Sequence, residues 1–303
     1  MPDLPTVFTR SEARAAGLSD RVLAGPQVQR VFRGVFVRQG TRLTTRLRTI
    51  AAVRIAPTGA VVARQTAAEL MGGVVPDETR IHLRLKAGRM RVPGIVATVR
   101  PMPSLVARVH GITTTTAEDT FVDLVPDLGL VDLVVLGDSL VRRKRTTPAR
   151  LVRAAQQVRG RHRALAVRAA GLVRDRVDSP MESRLRMLLV LAGLPEPVVD
   201  HREEDEDGYL LRRYDLSFPQ VRLAIEYDGR QHAESDRQWE RDVERREELD
   251  REGWRIVVVL GKGIYREPER TLERVVAAMN DRGMPARVTS QEWRVHFPGR
   301  DRA

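Results

Sequence analysis

The stretch Leu210–Asp228, LLRRYDLSFPQVRLAIEYD, limits most tightly what this chain can fold into. Alternation at a period of two puts Leu216, Phe218, Leu223, Ile225 and Tyr227 on one face of a hairpin. Asp215, Ser217, Glu226 and Asp228 fall on the other. Pro219-Gln220 reads as the turn, which sets Asp215 and Glu226 roughly opposite each other across an antiparallel ladder. Facing carboxylates repel and raise each other's pKa. A divalent cation removes that conflict, because Mg²⁺ takes hard oxygen ligands, and it lowers the pKa of the water it binds. The competing reading is a solvated sheet face. The apolar opposite face, which helices must cover, favours a metal site that cleaves phosphodiesters.

At 303 residues the chain is long enough for two or three domains. It has no cysteine, which excludes disulfides, zinc–thiolate sites and cysteine nucleophiles. No stretch approaches the ~20 apolar residues of a membrane span. The start, MPDLPTVFTRSEA, lacks the pattern of a signal peptide, so a cytoplasmic location is expected. The net charge of +12 is unevenly spread: residues 1–178 hold 30 basic and 14 acidic residues, residues 179–303 hold 22 and 26. A basic first half suggests a polyanionic partner, most simply double-stranded DNA, with scattered solvated arginines as the alternative. Few aromatics (4%) argue against base-stacking recognition of single strands.

Residues 1–41 have the outline of a winged helix-turn-helix domain. Thr9 and Glu12 form a capping box opening a helix that Gly17 stops. Ser19 starts a second short helix. Val28–Phe32 and Val35–Arg38 then form a basic hairpin around Gly34. Arg30, Arg33 and Arg38 would face phosphates from the wing, and the helix carrying Arg21 would read the groove. A small packing domain fits the same outline.

Residues 42–178 read as a mostly helical α+β region. Helices run through 42–72 with a break at Pro57-Thr58-Gly59. Residues 79–86 and 95–100 alternate as strands either side of a Gly/Arg turn, with His82 a surface or partly buried structural histidine rather than a ligand. Further helices follow from Thr116, with N-caps at Thr116 and Thr147. Asp119, Asp123, Asp132 and Asp138 share no spacing and read as solvated faces.

From Ser179 the pattern is helix, strand, strand, strand, helix, strand, helix, which implies a mixed sheet flanked by helices. Ser179 caps an amphipathic helix over Pro180–Ala192, with Met181, Leu185, Leu188, Leu189 and Ala192 as its apolar stripe. Glu182 sits at that stripe's edge and can bring a fourth carboxylate to the hairpin. A polar helix is expected over 234–252. Trp254–Leu260 reads as a strand buried on both faces, Glu267–Arg282 as a closing helix, and 285–303 as a tail. His232, four residues past Asp228, is placed for general acid or base work. An exposed histidine at a helix start is the alternative. Arg241, Arg245 and Arg246 suit intrahelical ion pairs or phosphate contacts, and Asp242 can orient a neighbour.

Ser179-Pro180-Met181-Glu182-Ser183-Arg184-Leu185-Arg186 is followed by Tyr214-Asp215-Leu216, Ile225-Glu226-Tyr227-Asp228-Gly229 with Gln231-His232, and Arg241-Asp242 through Gly253-Trp254. Together these motifs resemble the Vsr-like (very-short-patch-repair-like) endonucleases of the PD-(D/E)XK superfamily. The resemblance covers about 179–284. The first 178 residues, through FTRSEARAAGLS, RGVFVRQG and ITTTTAEDTFVDL, resemble the AbiEi-type antitoxin winged-helix region of actinobacterial proteins of this architecture. The first resemblance implies a restriction-endonuclease-like αβββαβα core. It also implies Asp215 and Glu226 as ligands of Mg²⁺ or Mn²⁺, Glu182 as the helix-borne acid and His232 as a proton-transfer group; Asp228, on the same strand face as Glu226, joins them as a catalytic candidate. One departure stands out: the superfamily pattern has a lysine two residues after the second acid, and here that residue is Asp228. Lys262 is a candidate for a migrated lysine.

Three functions follow. The leading one is a metal-dependent DNA endonuclease with an N-terminal DNA-binding region. The second is a non-catalytic, antitoxin-like DNA-binding regulator on a nuclease scaffold. The third is a protein-interaction module in a toxin–antitoxin or defence system.

Overall fold

The computed structural model describes residues 4–229 and 253–299. The chain divides into two compact units, residues 1–128 with 143–171, and residues 129–142 with 172–303. The sequence-drawn segments, with limits at 41, 178 and 284, cut the chain differently. The helix over 130–142 groups with the second unit rather than with the middle region.

The first unit opens with strand β1 (Val7–Thr9), helices α1 (Arg10–Ala15) and α2 (Asp20–Leu23), and strands β2 (Val28–Phe32) and β3 (Val35–Arg38). The capping box forms as the sequence requires: the Glu12 amide donates to Thr9 Oγ1, and the Thr9 amide donates to Glu12 Oε2 at 2.7 Å. The three strands pair antiparallel in the order β1-β3-β2. Phe8, Ala13, Leu23, Val28 and Phe36 bury together beneath the two helices. Strict alternation would place Arg30 on the same face as Val28 and Phe32. A register shift between Arg30 and Phe32 turns it outward, so Val28 and Phe32 stay buried and Arg30 is exposed.

Helix α3 (Thr45–Ile55) leads to β4 (Val61–Val62), α4 (Arg64–Met71), β5 (Ile81–Leu85), β6 (Ile95–Val99), β7 (Val106–Val109), β8 (Ile112–Thr115) and α5 (Ala117–Leu124). The strands form one mixed sheet, β6-β5-β4-β8-β7. β5 and β6 pair parallel, although only a short loop joins them. Helices α7 (Pro148–Gln156) and α8 (Arg163–Gly171) complete the unit; α6 belongs to the other. Asp123, expected in solvent, is buried against the Arg84 guanidinium, with Arg100 3.7 Å away. Burial raises its pKa against the pull of both arginines. His82 is likewise buried.

The second unit is built on α6 (Leu130–Arg142), α9 (Pro180–Leu191) and a four-stranded sheet. Its strands are β9 (Val198–Glu204), β10 (Leu210–Phe218), β11 (Leu223–Asp228) and β12 (Arg255–Leu260), in the order β12-β11-β10-β9. β9, β10 and β11 run antiparallel and β11–β12 parallel, the mixed sheet expected. Helices Gly261–Tyr265, Pro268–Asp281 and Trp293–His296 follow. β12 is not buried on both faces: Val257 and Val259 are covered on one, but on the other Ile256 and Val258 are only half-buried and Leu260 is exposed, as suits the sheet's end strand. Nor are residues 285–299 a loose tail. The Thr289 and Ser290 amides donate to the Ala192 carbonyl, and Trp293 and Phe297 are buried.

Helix α9 departs most from its sequence pattern. Its polar residues Glu182, Ser183 and Arg186 are buried along with Leu185, Leu188 and Leu189. Helix α6 covers the side that periodicity assigned to solvent, and Asp138, expected to be solvated, meets Arg186 there at 2.9 Å. Asp138 also accepts from the Ser183 hydroxyl at 2.7 Å and the Arg174 amide at 2.8 Å. Gly137 allows the chain to pass this closely, since a Cβ there would lie 2.3 Å from Val173 Cγ2. Among the described residues no helix is long and apolar enough to cross a membrane.

Candidate active site

β10 and β11 hold the carboxylates in register. Leu216 pairs with Ile225, Ser217 with Ala224 and Phe218 with Leu223. Continued by one residue, that register sets Asp215 opposite Glu226, and the Tyr227 amide donates to Asp215 Oδ2 at 3.3 Å. The turn is a short 3-10 segment, Pro219–Val221, closed by Arg222 at φ 48°. Asp215, Glu226 and Asp228 are half-buried, while Ser217 and Ala224 beneath them are fully covered. Asp215 is followed in space by an acid that period-two reading of the hairpin alone could not supply. On β9, His201 pairs with Tyr214 and Val199 with Leu216, so Asp200 falls beside Asp215. A row of three acids therefore crosses three strands: Asp200, Asp215 and Glu226. Asp200 is 6% exposed and adopts φ 50°, a conformation that Asp tolerates better than most residues.

Helix α9 brings its first turn to the same row. Ser179 caps it, accepting from the Glu182 amide at 3.1 Å, and the Glu182 carboxylate accepts from the Asp178 amide at 3.0 Å. Glu182 is 7% exposed, and burial followed by the negative charge of Asp215 raises its pKa. Glu182 therefore lies within electrostatic reach of Asp215. Arg213 stands among these acids, with Nη1 2.5 Å from Asp178 Oδ2 and Nε 3.4 Å from Asp200 Oδ1. Arg202 Nε holds the other Asp200 oxygen at 2.9 Å. Burial works against the charge on Arg213, but Asp178, Asp200 and Asp215 outweigh it and raise its pKa further.

Beside Asp215, Tyr214 is fully buried and stacks on Trp254 with ring centroids 4.2 Å apart. Such a pair contributes about 1 kcal/mol beyond its buried area. Glu203 accepts from both the Tyr214 hydroxyl and Trp254 Nε1 at 2.9 Å, so the strand carrying Asp215 is clamped from its neighbour. His201 stacks on the same pair.

The donors suit a hard cation, since every one is a carboxylate oxygen. Asp200 Oδ1 is a buried oxygen without a hydrogen-bond partner. Among the described residues no group of three or more His, Asp or Glu is gathered closely enough to enclose a metal ion. One or two carboxylates completed by water and substrate phosphate are the usual Mg²⁺ arrangement. Asp215 and Glu226, facing each other, fit that smaller requirement. Lys262 is occupied by Glu267 at 2.7 Å. His232, Arg241, Asp242, Arg245, Arg246 and the helix expected over 234–252 lie outside the described residues. In the first unit Arg21, Arg30, Arg33 and Arg38 are all exposed.

Residues 212–279 match the restriction-endonuclease-like family model REase_MTES_1575. The match begins on β10, spans both facing acids and ends in the helix Pro268–Asp281, so the second unit carries a nuclease-like domain. Two curated relatives from Mycobacterium tuberculosis are similar over most of the chain. These are the uncharacterized protein MT2308 of strain CDC 1551 / Oshkosh and the uncharacterized protein Rv2248 of strain ATCC 25618 / H37Rv. Each is 29% identical over 248 residues, covering 81% of this chain and 90% of the relative.

Proposed function

We propose that the protein is a metal-dependent DNA endonuclease of Vsr-like type, with its basic first unit holding duplex DNA. The observation that carries this reading is the coincidence of the nuclease-like match with the β10–β11 pairing that faces Asp215 with Glu226. Asp215 and Glu226 would hold Mg²⁺ or Mn²⁺, which would neutralise phosphate charge and lower the pKa of a bound water. Glu182, with its raised pKa, is the carboxyl best able to keep a proton near that water or take one from it. In the reaction the water oxygen bonds phosphorus as the bond to the leaving sugar oxygen breaks. One water proton ends on that leaving oxygen, and the other stays with the phosphate or passes to solvent. Tyr214, Trp254 and Glu203 fix the strand that carries Asp215. In the first unit, the strand–helix–helix–hairpin order and the outward Arg30 and Arg33 support a winged-helix, antitoxin-like DNA-binding region.

The test is cleavage of duplex DNA by the full chain with Mg²⁺ or Mn²⁺, beside Asp215→Ala and Glu226→Ala. Both substitutions abolish cleavage while duplex binding persists. Duplex binding by the unaltered chain with no turnover under either metal would instead leave the non-catalytic regulator.

A further inference from the structure

The acidic row must receive an anionic phosphodiester. Asp178, Glu182, Asp200, Asp215, Glu226 and Asp228 together would repel it, since unit charges a few ångströms apart interact strongly at a partly desolvated surface. Two arginines stand among these acids. Arg202 lies on β9 at the sheet's edge and is engaged by Asp200. Arg213 is nearer the facing pair, two residues before Asp215 on the same face of β10. The β10–β11 ladder reaches Leu216 opposite Ile225, and Arg213 lies on the stretch of β10 just beyond it, where its guanidinium meets Asp178 and Asp200. Asp178 and Asp200 hold the guanidinium in place from two sides, yet its side chain stays 40% exposed. A guanidinium offers five donors, so two carboxylates do not exhaust it, and it suits phosphate recognition.

We propose that Arg213 is the residue that positions the scissile phosphate, supplying from β10 a fixed positive charge beside Asp215 and Glu226. The proposal rests on the endonuclease reading above. It assigns Asp178 and Asp200 the supporting task of holding the guanidinium rather than the cation. A plain structural brace between Asp178 and Asp200 would predict the same contacts, so the test separates charge from bracing.

The experiment compares the full chain with Arg213→Gln, Arg213→Lys and Arg202→Gln. It measures Mn²⁺ binding by calorimetry, duplex affinity, melting temperature, and kcat and KM for duplex cleavage. Arg213→Gln is expected to bind Mn²⁺ at least as tightly as the unaltered chain, because a neighbouring positive charge is gone. Its kcat falls about 10²-fold, the scale of losing one preorganised donor, with KM little changed. Arg213→Lys keeps the charge and cleaves within about tenfold of the unaltered chain; Arg202→Gln cleaves normally. Arg213→Gln cleaving at the unaltered rate overturns the proposal and leaves the endonuclease reading intact. So does Arg202→Gln slowing as much, which would make both arginines mere partners of Asp200. If Arg213→Gln does not fold, a folded Arg213→Lys slowed 10²-fold or more is equally decisive against it. An unaltered chain that binds Mn²⁺ but never cleaves removes both the endonuclease reading and this role.

Discussion

Replacing Arg186 with methionine should be among the most damaging single changes in the second unit. The Arg186 side chain is 0% exposed and joins Asp138 at 2.9 Å and Glu196 at 3.1 Å. Asp138 is 2% exposed, so without Arg186 its charge is left in a desolvated site. The Ser183 hydroxyl and Arg174 amide still donate to Asp138, but neither carries a balancing charge. Breaking a buried pair from one side costs about 3–5 kcal/mol, and about 4 is expected here. Asp138→Leu should cost less, about 3 kcal/mol, because Glu196 still neutralises Arg186. The double variant should cost no more than the worse single, giving a coupling of about 3 kcal/mol. Arg186 Nε already has no hydrogen-bond partner, which lowers the value of keeping the arginine once Asp138 is gone. All three tryptophans, Trp239, Trp254 and Trp293, lie in the second unit, so denaturant unfolding followed by intrinsic fluorescence reports that unit. A single-variant cost below about 1 kcal/mol, or strictly additive costs, would refute the reasoning.

Gly137→Ala should destabilise by about 1–3 kcal/mol through overpacking against Val173, and Val173→Ala should recover part of the loss. Denaturation midpoints of the two variants and their combination check this. Glu78 has its pKa lowered to about 2, chiefly by its bond to the Arg80 guanidinium. Its folded pKa lies below the unfolded value near 4.5, so the stability it contributes is present above that value and is lost as pH falls toward 2. Thermal melts of the unaltered chain and Arg80→Ala should therefore differ at neutral pH and converge near pH 2. Arg30→Ala and Arg33→Ala should each weaken duplex binding regardless of sequence and reduce the slope of log K against log salt by about 1. Unchanged slopes would remove these residues from the phosphate contacts.

The hairpin was legible because its signal is local. Period-two alternation puts Asp215 and Glu226 on one face, but the register is set by a turn longer than Pro219-Gln220: it runs through Arg222 and leaves Phe218 opposite Leu223. Caps at Thr9, Ser19, Thr116, Thr147 and Ser179 were legible for the same reason, each resting on a side chain and an amide three residues on. Short strands were not. β1, β4 and β8 are two to four residues long and pair with strands far along the chain, and the four-residue β7 has only β8 beside it. Asp200 was missed because its φ of 50° and its pairing both depend on β9 being laid against β10, which no spacing within β9 announces. The buried charges failed for a related reason. Asp123, Asp138 and Arg186 look like residues of solvated helix faces until another element covers them.

That last failure bears on how the site is held. Glu182 and Arg186 are one turn apart on α9, so the helix carries a site carboxylate and its own buried anchor on neighbouring turns. Apolar packing alone would allow α9 to rotate or slide by fractions of a turn at modest cost. An arginine committed to Asp138 and Glu196 does not, because any shift strands a charge away from its partners. The network is expected to fix the azimuth of α9 and with it the distance from Glu182 to Asp215. The double replacement Asp138→Leu with Arg186→Met separates these effects. If the network fixes the helix, the variant remains folded yet cleaves more slowly, and the pH at which Glu182 titrates moves toward that of an ordinary carboxyl. Full activity in a folded double variant would show that packing alone sets the helix, and that the buried charges have no part in the site.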